Sequence, residues 1–528
     1  MKKKEALYLL LMLLLAASSL HAQTPLAGSG TRFTFSLPEG AERITKPPDT
    51  SRIFLRILSP YSGKVSVKAV GYSNEFTFSP NAVTTIELPR SLVIYGPTGQ
   101  YSKGISVVAT QPVSAVLHRF MPFAGEATQL YPDNIQGKEF VVSSWGVFDD
   151  PNEDNIAQVV VSAIYPETIV TIYPRLGMID GAPITRVMGP SESYILKADV
   201  RTAANVEGYC GTRISATYPV SVITNVSCGY VPLGREACNE MLDELLPKSY
   251  FGTVFYATPL SDSAQTARLI FTSDSMHFTV LSGRGLFQET FNGRIEMQLS
   301  RPDVFSVSRP AQCQLITDGY DVVQVGDPSM VQILPPEFYS DSLYWNTPYL
   351  VSTGQVFQHF VSIVFPQDVK QDVKLDGIPV ATLGTVQNIP QSTMAAMQIE
   401  INPGNHSVTS TKPVFAVASG FLPADVYTFL PVGRSKQVLD VSGQQKESAI
   451  RITTIPNPAN DKLYVTKTGN GSVMRYRLYD ELGQVALERT LGITETTVVD
   501  ISTLASGTYT LSALTVLGEI TVRVVIVR

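Results

Sequence analysis

The side chains that could do chemistry in this chain are few and scattered. Cys210, Cys228, Cys238 and Cys313 are the only cysteines, and as candidate disulfide partners four thiols allow three pairings. No cysteine has a base partner close to it in sequence, so thiolate catalysis has no support. His118, His277, His359 and His406 each stand alone in strand-like sequence, which suits core or surface positions better than a metal cluster. The sequence contains no HExxH, GxSxG or Walker pattern. The densest run of hard oxygen donors is Asp149-Asp150-Pro151-Asn152-Glu153-Asp154-Asn155, which could hold calcium between domains. It lacks the order and the fixed glycine of an EF-hand loop, so a solvated loop is the simpler reading. No catalytic, cofactor-binding or metal residue is assigned, and the expectation is a protein that is not an enzyme.

The elements that carry these residues are read from the pattern of the chain. Its 528 residues are 44% hydrophobic and 16% charged, with a net charge of −6. That is enough apolar material for several cores, and there is no basic run to favour a nucleic-acid partner. Four segments superimpose on one another: SVVATQPVSAV around Pro112, RISATYPVSVI around Pro219, VFSVSRPAQCQ around Pro310 and SVTSTKPVFAV around Pro413. Five residues before each proline stands an apolar residue (Val107, Ile214, Phe305, Val408), and two before it a hydroxyl (Thr110, Thr217, Ser308, Thr411). Alternation of this kind marks a strand with one buried face. The proline must sit at a bulge, edge or strand start, because it has no N–H to donate.

A second landmark follows each proline: Leu130-Tyr131-Pro132, Leu246-Pro247, Leu334-Pro335 and Leu430-Pro431. In three copies an aromatic strand comes next (GKEFVV, GTVFYA, DSLYW). Units of about 100 residues match the size of β-sandwich domains. The fold expected is therefore all-β, with tandem sandwich-like units at 23–142, 143–258, 259–345 and 346–433, and a β-propeller as the alternative. Asp376-Gly377 is a two-residue hairpin signal, and Asn239–Leu246 reads as the single short helix.

The ends read as addresses. Lys2-Lys3-Lys4, an apolar run and a small-residue exit near Ala22 form a secretory signal over 1–22. No later stretch is apolar and long enough for a helix to span a bilayer. After a linker at 434–454, the prolines of Pro456-Asn457-Pro458 exclude a helix, and short alternating strands follow to the end, giving a small sandwich over 455–528.

In that last segment PNPA, LYDELGQ and VDISTLASGTYTL resemble the C-terminal sorting domain of the type IX secretion system of Bacteroidetes-type bacteria. The matching positions are Pro456, Asn457, Pro458, Tyr479, Asp480, Gly483, Leu504, Gly507 and Tyr509. The resemblance implies passage through the periplasm and the outer membrane, engagement of the type IX machinery, and attachment to the cell surface or release. The second unit, PVSVITNVSCGYVPLGREACNEMLDELLPKSYFG, resembles the N-terminal domain family of IgGFc-binding proteins, and GNHSV, KPVFAVASGF and DVYTF resemble the end of the same domain. This resemblance covers roughly residues 135 to 432 and implies protein binding at a surface. In an oxidising exterior, Cys228 with Cys238 is the preferred disulfide, because it closes a short loop and fits the family pattern. Cys210 and Cys313 could form a second bridge or remain buried thiols.

The resulting expectation is a secreted or cell-surface binding and adhesion protein that meets an extracellular protein or glycan. A structural envelope or matrix protein is the alternative, and a secreted hydrolase a further one. Deleting residues 455–528 should leave the chain in the periplasm, as read by cell fractionation and surface proteolysis; undiminished surface delivery would contradict the sorting assignment.

Overall fold

The computed structural model describes residues 28–43, 51–121, 123–147, 155–199, 207–233, 237–261, 267–323, 325–348, 351–352, 355–433, 451–468, 473–480, 485–489, 496–515 and 518–528. The signal segment, the linker up to residue 450, Gly483 and the acidic loop from Asp149 to Asp154 lie outside them. Two compact units divide at Ser435.

In the larger unit, each proline segment is the middle of one long strand followed by a short one. β1 (Ile105–Phe120) precedes β2 (Glu126–Leu130), β3 (Arg213–Tyr230) precedes β4 (Cys238–Glu244), β5 (Asp303–Thr317) precedes β6 (Met330–Ile333), and β7 (Asn405–Leu422) precedes β8 (Asp425–Phe429). The first half of each long strand pairs with the strand that opens its unit: Gly30–Phe35, Gly137–Val141, Gly252–Ala257 or Ser340–Asn346. The second half pairs with the following short strand. One strand thus serves two sheets in the first, third and fourth units, while in the second both halves belong to one continuous sheet. The networks built this way hold seven, eight, seven and nine strands.

The proline lies where the strand changes partners. Gly30 pairs with Val113 but Arg32 pairs with Val108, and the same slip recurs opposite Val220, Ala311 and Val414. A residue without an N–H loses nothing in that gap. The nearby hydroxyl reaches across to the neighbouring strand: the amides of Lys64, Ile169 and Thr279 donate to Thr110, Thr217 and Ser308, each at 2.9 Å. In the fourth unit Thr411 donates instead to the Asp372 carboxylate at 3.2 Å.

The second landmark packs on the first. A Cβ added to Gly30, Gly137 or Gly252 would lie 2.4, 2.4 or 2.3 Å from the Cβ of Pro132, Pro247 or Pro335. Only glycine lets that proline close over the slip. The aromatic strands GKEFVV, GTVFYA and DSLYW pair with the long strand that follows them. We accordingly propose that each unit begins just before these strands, some residues earlier than divisions at 142, 258 and 345.

The four units close on one another. β4 packs against β2 and β6, and β8 packs against β6 and β2, so the short strands form a ring. The residues before the landmark prolines, Tyr131, Leu246, Leu334 and Leu430, share one buried apolar cluster with Phe255, Phe305 and Phe415. At the seam, the Ser29 hydroxyl donates to the Gly433 carbonyl at 3.4 Å.

One expectation is corrected. Asn239–Leu246 is not helical: Cys238–Glu244 is strand β4, antiparallel to β3. Its residues favour helix locally, but both faces are covered in the ring, and tertiary pairing overrides weak propensity. The Asp376-Gly377 hairpin forms, with φ of 52° and 82° at its two turn residues, as a type I′ turn requires.

The smaller unit is a sandwich of a three-stranded and a four-stranded sheet. Leu463, Val465, Leu478, Val499, Leu511, Val524 and Ile526 fill its core.

Gly252→Ala should destabilise the chain by about 1–3 kcal/mol through overpacking against Pro335, whereas Gly189→Ala, whose added Cβ would meet nothing closer than 3.6 Å, should be near neutral. Chemical denaturation of the two variants checks this.

Candidate functional site

The ring strands carry acids inward. Glu126 on β2 accepts hydrogen bonds from the Ser329 hydroxyl at 2.9 Å and from the amides of Met330 and Thr428 at 3.1 and 3.3 Å, so one carboxyl joins the first unit to the third and fourth. Asp243 on β4 accepts from Thr128 at 3.1 Å and Gln314 at 2.9 Å. Glu244 accepts from the Tyr131 amide at 2.6 Å, Gln136 at 2.9 Å and Ser221 at 2.5 Å. Asp425 on β8 accepts from the Gly125 amide at 3.1 Å.

All four are buried, and burial disfavours the charged form. It lifts Glu126 well above the usual carboxylate range, Asp243 and Asp425 to about 7, and Glu244 to about 8. A protonated acid that still receives such donors is a polar staple between units.

Beside this axis, Arg119 sits fully enclosed between two acids. It bonds Glu42 at 2.8 Å and lies 3.3 Å from Glu240. One guanidinium can neutralise one of them. Burial pushes Glu42 up, but Arg119 together with hydrogen bonds from the Gly40 amide and its own amide holds it below its ordinary value, whereas burial lifts Glu240 to about 7.

The residues singled out in sequence fall as follows. Cys228 and Cys238 are bonded to each other, tying β3 to β4. Cys210 and Cys313 are free and buried. Cys313 pairs in register with Phe271 and shares its apolar cluster, while Cys210 touches the hydroxyl of the next residue, Thr272, at 3.4 Å. Neighbouring strand residues face opposite ways, so the two thiols lie on opposite sides of one sheet, and a bridge between them is excluded without backbone movement. In the smaller unit, Asn457 donates to the Arg523 carbonyl at 2.7 Å and accepts from the Val525 amide at 2.8 Å, locking the PNP segment to the last strand. The Tyr509 hydroxyl donates to Ala505 at 3.0 Å, Leu504 packs on the core, and the Pro456, Tyr479, Asp480 and Gly507 positions lie on or beside the strands of that sandwich. Among the described residues no group of acids, histidines and cysteines could hold a metal.

Two histidines that looked isolated meet at Tyr427 of β8. The phenol bonds His359 Nδ1 at 2.6 Å, and the His118 ring centroid lies 6.4 Å away. Burial, reinforced by Arg56, holds His118 well below its ordinary value. Burial and His406 lower His359 to about 4. Both are neutral at physiological pH.

Sequence reasoning missed Arg56. It lies on Arg52–Leu58, the strand paired with the second half of β1, and is 9% exposed. Among the described residues no carboxylate pairs with it, and its Nε meets no acceptor. Burial brings it down to about 10, so it stays charged. Arg56 opens on a cleft of about 450 Å³ between the first and fourth units. The alternation Arg52, Phe54, Arg56 was the signal available, since period two puts all three on one face.

Two segments of the chain match known families. The model of the family described as IgGFc binding protein matches residues 126–420, and that of the secretion system C-terminal sorting domain matches residues 453–527. No curated protein matches the chain. Among solved structures, the BSP domain of a biofilm associated protein is 8% identical over 79% of this chain and 78% of its own, with a TM-score of 0.16. A tetra-tandem repeat from the extending region of a large adhesion protein is 10% identical over 78% and 95%, at 0.15. A Ca2+-stabilised adhesin of an Antarctic ice-binding bacterium is 9% identical over 95% and 99%, at 0.14. Scores this low establish no shared fold.

The raised acids fix a pH dependence. Above about pH 7.5 histidines are almost entirely neutral whether folded or not, while unfolded carboxyls are already ionised. Between there and about pH 8, where Glu244 loses its proton, the folded chain binds more protons than the unfolded one, so stability falls as pH rises. The thermal midpoint should drop across that window, and Glu244→Gln should flatten the slope; an unchanged slope would show that the acid is ionised in the folded chain.

Proposed function

We propose an adhesive binding role outside the cell for this chain, which belongs to the IgGFc-binding protein family and ends in a type IX sorting domain. The sorting domain directs export to the outer surface or the medium and engages the type IX machinery on the way. What remains to be assigned is the task of residues 28–433.

The observation that carries the reading is the contrast between the interior of that unit and its surface. The buried acids of the axis are spent on hydrogen bonds that hold four units together, whereas Arg56 keeps a charge with no internal partner and faces an open cleft. A closed, heavily hydrogen-bonded scaffold that leaves recognition to its outer edges and clefts suits a protein that holds a partner. The partner is an extracellular protein or glycan. The family's name supplies immunoglobulin as one probe, but fold membership alone does not fix a ligand.

The secreted chain, immobilised and screened against arrayed glycans, extracellular-matrix proteins and immunoglobulin, should show saturable binding to at least one of them. Binding to none would favour a structural role in the envelope or matrix. Turnover of a peptide or glycan that a single carboxylate substitution abolishes would make it a hydrolase instead.

A further inference from the structure

A guanidinium enclosed by protein normally finds a carboxylate, because an unpaired buried charge is strongly destabilising. Arg56 has none. On its own strand, Phe54 lies beneath it with the ring centroid 5.9 Å from the guanidinium carbon. Arg52 on the same face is already committed to Glu87 through two bonds of 3.0 and 2.7 Å. The residue directly across the ladder is Thr85, and behind it are Tyr427 and the neutral His118. The positive charge is therefore uncompensated where it meets the cleft.

The opposite wall belongs to the fourth unit: Asn346, Thr347 and the turn Pro403-Gly404. Asn405 ties the walls together by donating its amide to the Asn81 carbonyl, and Asn346 donates to Asn405 at 2.8 Å. The Thr347 hydroxyl is spent on the Gly404 backbone, so amide and backbone groups face one guanidinium across a gap whose width is fixed by contacts between units. We propose that this cleft binds the carboxylate of an acidic sugar, with Arg56 as the counter-ion and the Asn346 and Thr85 side chains facing the sugar hydroxyls. The planar fork of arginine matches a carboxylate. A single uncompensated charge matches a monoanion, and a lining that sets Thr85 and Asn346 beside the apolar Phe54, Val83 and Pro403 suits a ring that presents both hydroxyls and C–H faces.

The assignment rests on the binding role proposed above, and its test separates the two. The secreted chain is titrated calorimetrically with a glucuronate oligosaccharide, with the methyl ester of the same sugar and with a glutamate-rich hexapeptide. Saturable binding of the glucuronate is expected, with the ester weaker by about 10- to 100-fold, the range for losing a charge-assisted hydrogen bond. Arg56→Gln should weaken glucuronate binding by a similar factor. Because removing a buried side chain can unfold a protein, Thr85→Glu is the second variant. It sets a carboxylate opposite Arg56 from an exposed position, so the fold and thermal midpoint should hold while the sugar is displaced. Equal affinity for acid and ester, unaltered binding in a folded Arg56→Gln or Thr85→Glu variant, or Arg56-dependent binding of the hexapeptide alone would overturn the acidic-sugar assignment. If the array screen still finds a partner in that event, the binding role stands without this cleft; if neither experiment finds one, both fall.

Discussion

The structure turns on a requirement placed on four strands: each must give its first half to one set of partners and its second half to another. A regular ladder cannot do this without breaking, and a break inside a protein exposes amides that need partners. The repeated answer is local and chemical. In all four proline removes the donor, and in the first three a hydroxyl two residues earlier takes an amide from the adjacent strand and a glycine on the opening strand admits the proline that caps the corner. The ring of short strands follows, since each leaves its corner pointed at the same centre.

That centre is polar, which is costly unless every group finds its match. Glu126, Asp243, Glu244 and Asp425 find theirs largely on other units. An apolar cluster lies beneath the landmark prolines, but apolar contacts tolerate sliding. Carboxyls with fixed donors do not, so they set how one unit is rotated and registered on the next. Arg119, shared by Glu42 and Glu240, extends the same logic to the joint between the first two units.

Much of this was legible in the sequence. The proline periodicity gave the repeat, period-two alternation gave the strands, Asp376-Gly377 gave its hairpin, and the PNP and LASGTY segments marked the terminal sandwich. Other features were hidden for physical reasons. Asn239–Glu244 has residues that favour helix, and only the partners on β3 and in the ring make it a strand. His118 and His359 lie far apart in sequence and meet through the fold at Tyr427. Cys210 and Cys313 look like a pair until register puts them on opposite sides of a sheet. Arg56 reads as one charge in an amphipathic strand, and its lack of a carboxylate is a fact about neighbours, visible only once the fourth unit is in place.

The seam at Ser29 and Gly433 has a bearing on engineering. Because the chain enters and leaves its larger unit side by side, nothing in the closure depends on where the polypeptide happens to be cut. A gene opened between the second and third units, with a brief connector across the old ends, would encode the same assembly in a new order.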